Sequence, residues 1–153
     1  MNIINDFDIS EYNSYKIKAK AKVAIFPSSS KELIKAVKAY PKHVIMGGGY
    51  NTILKNEYYE DKAFIFVREN LSNIEINDNK ISCEPGVDLK ELSYIAYKNN
   101  LSGFEYFYDI PGTLGGAMVM NAGSKGEDIG SLTEKIDYFD VKKQQTITLN
   151  KED

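Results

Sequence analysis

Gly47-Gly48-Gly49-Tyr50-Asn51, with Thr52 after it, is the segment best suited to chemistry, because it is largely bare backbone. Three successive residues without Cβ atoms let their N–H groups converge on one anion. Such a nest suits a pyrophosphate, whose spread charge needs several donors. The segment is not a Walker loop, since Gly-x-x-x-x-Gly-Lys-Ser/Thr is absent, nor a Gly-x-Gly-x-x-Gly turn opening a long helix. On these residues alone a tight turn remains an open alternative.

A second stretch runs Ile110-Pro111-Gly112-Thr113-Leu114-Gly115-Gly116-Ala117, then Asn121-Ala122-Gly123, with no lysine, glutamate or aspartate between Asp109 and Lys125. Exposed loops normally carry charge. This one is therefore expected to lie against a planar ring such as isoalloxazine, or against another backbone where two lobes meet. Both readings stand.

The remaining reactive types offer less. His43 is the only histidine and has no nearby partner, so no metal site is expected. Cys83 falls inside a predicted strand and reads as a buried, inert thiol. Arg68 ends a predicted strand and reads as a surface residue beside Glu69. Nothing brings Glu84 and Glu105 together as an acid–base pair. Of Tyr106-Phe107-Tyr108, at least two rings are expected to pack in a core.

The elements that position these residues follow from periodicity. Asn13 to Phe26 alternates Tyr15, Ile17, Ala19 and Ala21 with four lysines, predicting a solvated edge strand. Ser30 is placed to cap a helix from about Lys31 to Tyr40 with Leu33, Ile34 and Val37 buried, and Pro41 ends it. Val44-Ile45-Met46 leads into the glycine triplet, and Ala63–Val67 reads as another buried strand. This β-α-β-loop-β order predicts a first α/β lobe over 1–68.

A second lobe over 69–153 follows. Ile74–Ile76 and Lys80–Glu84 pair as a hairpin, and the turn at Pro85-Gly86-Val87 leads to Asp88, which caps a helix from about Leu89 to Asn99. Leu101 to Ile110 is aromatic and expected to be mostly irregular, and Pro111 to Gly123 is glycine-dense and nearly uncharged. Lys135–Val141 and Gln144–Leu149 form a closing hairpin, and Asn150–Asp153 reads as a polar end without a strand to pair.

Bulk composition narrows the class. Among 153 residues, 42% are hydrophobic and 27% charged, the balance of a globular α+β protein. A net charge of −3 gives no reason to expect nucleic acid or a membrane surface as partner. All but one of the 19 basic residues are lysines, so several arginine forks cannot converge on one ligand. A single cysteine, no visible signal peptide and no long apolar run fit a cytoplasmic protein.

The ordered set Gly47-Gly48-Gly49-Tyr50-Asn51, Leu101-Ser102-Gly103-Phe104-Glu105, Ile110 to Ala117 and Met120-Asn121-Ala122-Gly123 resembles the UDP-N-acetylenolpyruvoylglucosamine reductase family. Asn13-Ser14-Tyr15 and Phe26-Pro27 match its layout too, so the likeness spans about Asn13 to Leu149. The resemblance implies a two-lobed FAD-binding domain of the vanillyl-alcohol-oxidase/PCMH type. It places the FAD pyrophosphate at Gly47, Gly48, Gly49, Tyr50, Asn51 and Thr52. The remainder of a non-covalent FAD falls to Ile110, Pro111, Gly112, Thr113, Gly115, Gly116, Ala117, Asn121 and Gly123, with Pro85 and Gly86 nearby. The family passes hydride from NADPH through FAD to the enolpyruvyl group of a UDP-sugar, a step in peptidoglycan precursor synthesis.

Departures are local at Tyr50, where the family has a small residue, and at Ser124-Lys125-Gly126, where it often has Ala-Tyr-Gly. The family's catalytic arginine, serine and glutamate would fall beyond residue 153, so no catalytic residue and no C-terminal substrate domain are expected within it. Two other readings are a flavin-binding module without catalysis and an oxidoreductase of the wider flavin superfamily with another substrate.

Overall fold

Short runs of isoleucine, valine, alanine and phenylalanine become the buried strands of one sheet in the computed structural model of the protein, which describes residues 1–152. The sheet contains β1 (Asn2–Asp8), β2 (Lys20–Phe26), β3 (His43–Met46) and β4 (Tyr58–Phe66) in the order β1-β2-β4-β3. β1 is antiparallel to β2, while β4 runs parallel to both β2 and β3. Side chains alternate between faces. Ile25, Ala63 and Ile65 point towards helix α1 (Ser30–Ala39), where Ala36 and Val37 meet them. Ala24, Phe26, Phe64 and Phe66 line the opposite face with Ile9, Leu54 and Tyr59. Tyr12 and Phe66 have ring centroids 4.5 Å apart there.

This region departs from expectation at four points. Only Lys20–Phe26 of the long lysine alternation is a strand. Asn13 is buried, and its side chain binds Ser10 O, Ile17 O and Ile17 N, folding Ser10–Ala19 into a loop. A short polar side chain has there replaced the ladder as the backbone's partner. β2 is also interior rather than an edge, because β1 covers its far side. β1 was not expected: it contains asparagine and aspartate, residues depleted in strands. Finally, α1 is capped one residue earlier than expected, by Ser29, whose hydroxyl accepts from Glu32 N.

Beyond Phe66 the elements build a second core. β5 (Ile74–Asn77) and β6 (Lys80–Cys83) pair as expected, with Asp78 at φ 53° in the turn. Asp88 caps α2 (Leu89–Lys98), accepting from the N–H groups of Lys90 and Glu91. The Leu101–Ile110 stretch expected to be irregular contains a 3-10 turn (Phe104–Phe107), and the glycine-dense stretch after it holds a helix, α3 (Leu114–Met120), capped by Thr113. Leu89, Phe107, Ala117 and Ile129 pack together, so α2, α3 and α4 (Ile129–Leu132) share one core. A two-residue hairpin, β7 (Gly123–Ser124) with β8 (Glu127–Asp128), joins α3 to α4.

The last hairpin, β9 (Lys135–Asp140) and β10 (Gln145–Asn150), extends to Asn150, which pairs with Lys135. The expected unpaired end is thus corrected at Asn150, and Asp153 lies outside the described residues. Phe139 of β9 packs on the Ile25–Ala36–Val37 core, with Lys38 Nζ 5.2 Å from its ring. Among the described residues, no helix is long and apolar enough to cross a membrane.

Candidate functional site

Because β3 and β4 are parallel, the chain leaves β3 at the carboxyl end of the sheet, the end where ligands of open parallel sheets bind. The glycine triplet begins at that point. Each of its glycines is pressed from a different direction. A Cβ on Gly49, whose φ is +70°, would stand 2.1 Å from Tyr12 O and 2.9 Å from Asn13 Cα. A Cβ on Gly47 would stand 2.3 Å from Thr113 Oγ1. One on Gly48 would meet the Tyr50 ring at 2.8 Å and Gly112 Cα at 3.1 Å. Ser14 N donates to Gly49 O (3.1 Å), fixing the loop to the buried Asn13 segment.

This packing leaves the loop's donors free. Among the described residues, no backbone N–H from Gly47 through Thr52 donates to a protein acceptor. A run of unpaired N–H groups requires water or a ligand as partner. The second glycine segment behaves differently. Leu114 N donates to Val87 O (2.7 Å), Gly115 N to Pro85 O (2.8 Å) and Gly116 N to Thr113 Oγ1 (3.4 Å). The first turn of α3 therefore spends its donors on the protein.

The expected site residues are only partly brought together. Gly47 and Gly48 meet Thr113 and Gly112, so the two glycine segments face one another, as the backbone-packing alternative required. Asn51 Nδ2 donates to Met120 Sδ (3.4 Å), joining the loop to the end of α3. Gly115 lies against Pro85, at 2.8 Å from a would-be Cβ, and Gly86 lies against Val67 O at 2.2 Å. Ile110 is half-buried beside the second core and Ala117 is inside it. Asn121 ends α3 at φ 43° and accepts from Gly130 N, while Gly123 is packed against Glu127 O of its own hairpin. Exposed apolar side chains flank the meeting line: Tyr50 and Ile53 from the loop, Val119 and Met120 from α3.

A cleft of about 560 Å³ lined by Arg68, Asp88, Lys90 and Tyr108 shares only Gly86 with the expected residues. Arg68 and Asp88 line it as an ion pair (3.6 Å), so Arg68 is engaged by Asp88 and not by Glu69. Lys90 Nζ stands 4.9 Å from the Tyr108 ring at the same cleft. Glu84 and Glu105 are each taken by backbone, accepting from Asn73 N and Gly103 N respectively. His43 Nδ1 is 2.7 Å from Tyr40 O. Cys83 is half-buried rather than fully buried as expected, and that burial pushes its thiol up to about 11, keeping it protonated near neutrality. Burial, then Glu69, raises the Tyr12 phenol above its ordinary value.

Sequence reasoning missed Tyr12 as part of the site, and the contact that Met120 makes with Asn51. Tyr12 acts through its carbonyl, which any residue supplies, and Met120 lies in a helix hidden by its glycines.

Residues 21–144 match the family described as FAD binding domain. The chain is 37% identical over 137 residues to the UDP-N-acetylenolpyruvoylglucosamine reductase of Francisella tularensis, covering 90% of this chain and 49% of that protein. Its likeness to the protein of the same name from Borreliella burgdorferi is 39% over 139 residues, covering 88% and 46%. The chain thus spans about half the length of the curated relatives it matches. Among solved structures, the UDP-N-acetylenolpyruvylglucosamine reductase of Thermus caldophilus superposes with a TM-score of 0.75 at 19% identity, covering 99% of this chain and 52% of that one. A solvent-stable cholesterol oxidase superposes at 0.69 and 16% identity, covering 86% and 30%. These structural likenesses establish the α+β fold of the vanillyl-alcohol-oxidase type. With its family match spanning both glycine segments, the chain belongs to the FAD binding domain family.

Proposed function

We propose that this chain is the FAD-binding portion of a UDP-N-acetylenolpyruvoylglucosamine reductase, divided into lobes at 1–68 and 69–153. The carrying observation is the run of backbone N–H groups from Gly47 to Thr52 that have no protein acceptor and surround three glycines. This donor set fits a pyrophosphate: several neutral donors, no carboxylate in the loop, and no Cβ to hold the anion away. Gly112 and Thr113 form the opposing wall, and Pro85, Gly86, Gly115 and Gly116 hold that wall at its distance. Ile110, Pro111, Ala117, Asn121 and Gly123 complete its frame. No histidine or cysteine lies in either segment, so attachment is non-covalent.

When bound, FAD supplies a two-electron carrier between NADPH and the enolpyruvyl double bond of the UDP-sugar, in cytoplasmic peptidoglycan precursor synthesis. The chain's own residues bind, orient and partly enclose that cofactor. None of them is assigned to proton transfer. The family-level support is the identity to reductases of that name over most of this chain.

Competition titrations test the binding reading. FAD and ADP, which share a pyrophosphate, are expected to exclude one another, and FMN is expected to bind far more weakly. Equal affinity for FMN and FAD would show that the glycine loop is only a turn.

A further inference from the structure

Of the three groups that come nearest the Cβ positions of the glycine triplet, two are fixed and one is not. Thr113 is 1% exposed, and the Tyr12 carbonyl belongs to a segment locked by Asn13. The third is the Tyr50 ring, which lies on Gly48 with Cδ2 and Cε2 at 2.8 and 2.9 Å from the Cβ position. Tyr50 is 43% exposed, and its side chain has no hydrogen bond or ring contact among the described residues. Its ring is thus held against Gly48, inside the loop that carries the free N–H groups, by contact alone. Gly48 is what allows this, since any side chain there would displace the ring.

We propose that Tyr50 is an internal competitor for the phosphate-binding loop, its ring covering Gly48 until it swings aside to admit the cofactor. This rests on the flavin reading above. Exposed side chains change rotamer in about picoseconds to nanoseconds, far faster than ligand association. The covered state therefore acts as a rapid pre-equilibrium. Only the uncovered fraction binds, and the association rate and apparent affinity both fall by that fraction. Dissociation is unaffected, because a ring already displaced makes no demand on the bound ligand.

The test is stopped-flow FAD binding to wild type, Tyr50→Ser and Tyr50→Phe, followed by flavin fluorescence, with thermal melting to confirm folding. Tyr50→Ser is expected to raise the association constant by about three- to tenfold with an unchanged dissociation rate. Tyr50→Phe keeps the ring and is expected to match wild type. Equal association rates for serine and tyrosine overturn the proposal. So does a faster dissociation in Tyr50→Phe, which would make the phenol a ligand rather than a cover. If none of the three binds FAD, the flavin reading falls and the competitor with it.

Discussion

The hydroxyl oxygen of Thr113 stands 2.3 Å from the place a β-carbon on Gly47 would occupy, so a side chain of the second glycine segment fills the space the first leaves empty. Gly47→Ala is expected to cost about 1–3 kcal/mol by overpacking. In a Thr113→Ala background the added cost should largely disappear, although that background itself loses about 1 kcal/mol with the α3 cap. Denaturant midpoints of the four proteins form the cycle. Additive costs would show that the two residues are not coupled.

Gly49 and Gly126 both have positive φ, +70° and +91°, but differ in what surrounds them. Alanine at Gly126 meets nothing within 4 Å and should cost only the backbone strain, about 1 kcal/mol. Alanine or valine at Gly49 must also displace Tyr12 O. Gly49→Val is expected to lower stability by more than Gly126→Ala and to abolish FAD binding, whereas Tyr50→Ser retains it. Isothermal titration of the three variants distinguishes backbone obstruction from side-chain contact.

Burial holds the Cys83 proton up to about 11, against an ordinary value near 9. The unfolded chain therefore releases this proton first as pH rises. Its stabilising contribution is complete below about pH 9 and is lost as pH climbs through about 11. Alkylation of the native protein at pH 8 should be much slower than that of a free cysteine and should accelerate with pH towards 11. Cys83→Ala should flatten that part of the stability curve. Alkylation at pH 8 as fast as that of a free cysteine would contradict the half-buried placement.

The purified chain should be yellow or become so with FAD, and acid precipitation should release all the colour into the supernatant. Pelleted flavin would mean covalent attachment. Chemically reduced and mixed anaerobically with the UDP-sugar, the loaded chain should not be reoxidised. Its one arginine is engaged by Asp88 at the cleft both line, and no group is assigned as proton donor. Reoxidation with formation of UDP-N-acetylmuramate would show that these two lobes suffice.

Much of the scaffold was legible where pattern and burial agree. Val44–Met46, Ala63–Phe66 and the Asp88 cap could be read because apolar runs and a lone aspartate leave few alternatives. The N-terminal strand was not, since Asn2–Asp8 becomes a strand only through its pairing with β2. Nor was α3: Gly115 and Gly116 disfavour a helix locally, and the capping hydroxyl of Thr113 with the Val87 and Pro85 carbonyls overrides that preference. Both glycine segments were visible as candidates. That they face each other, with only the first retaining free donors, depends on contacts between residues more than sixty positions apart.

Phe139 sits on a core whose other members all precede residue 66. That core consequently emerges from the ribosome without Phe139, a hydrophobic contact that arrives more than seventy residues later. Domains usually fold in order of synthesis, and contacts of such long separation slow the search. Here the sheet and α1 can assemble early, but Phe139 joins their core only with β9. Commitment to the native topology is thereby deferred until both walls of the glycine groove exist.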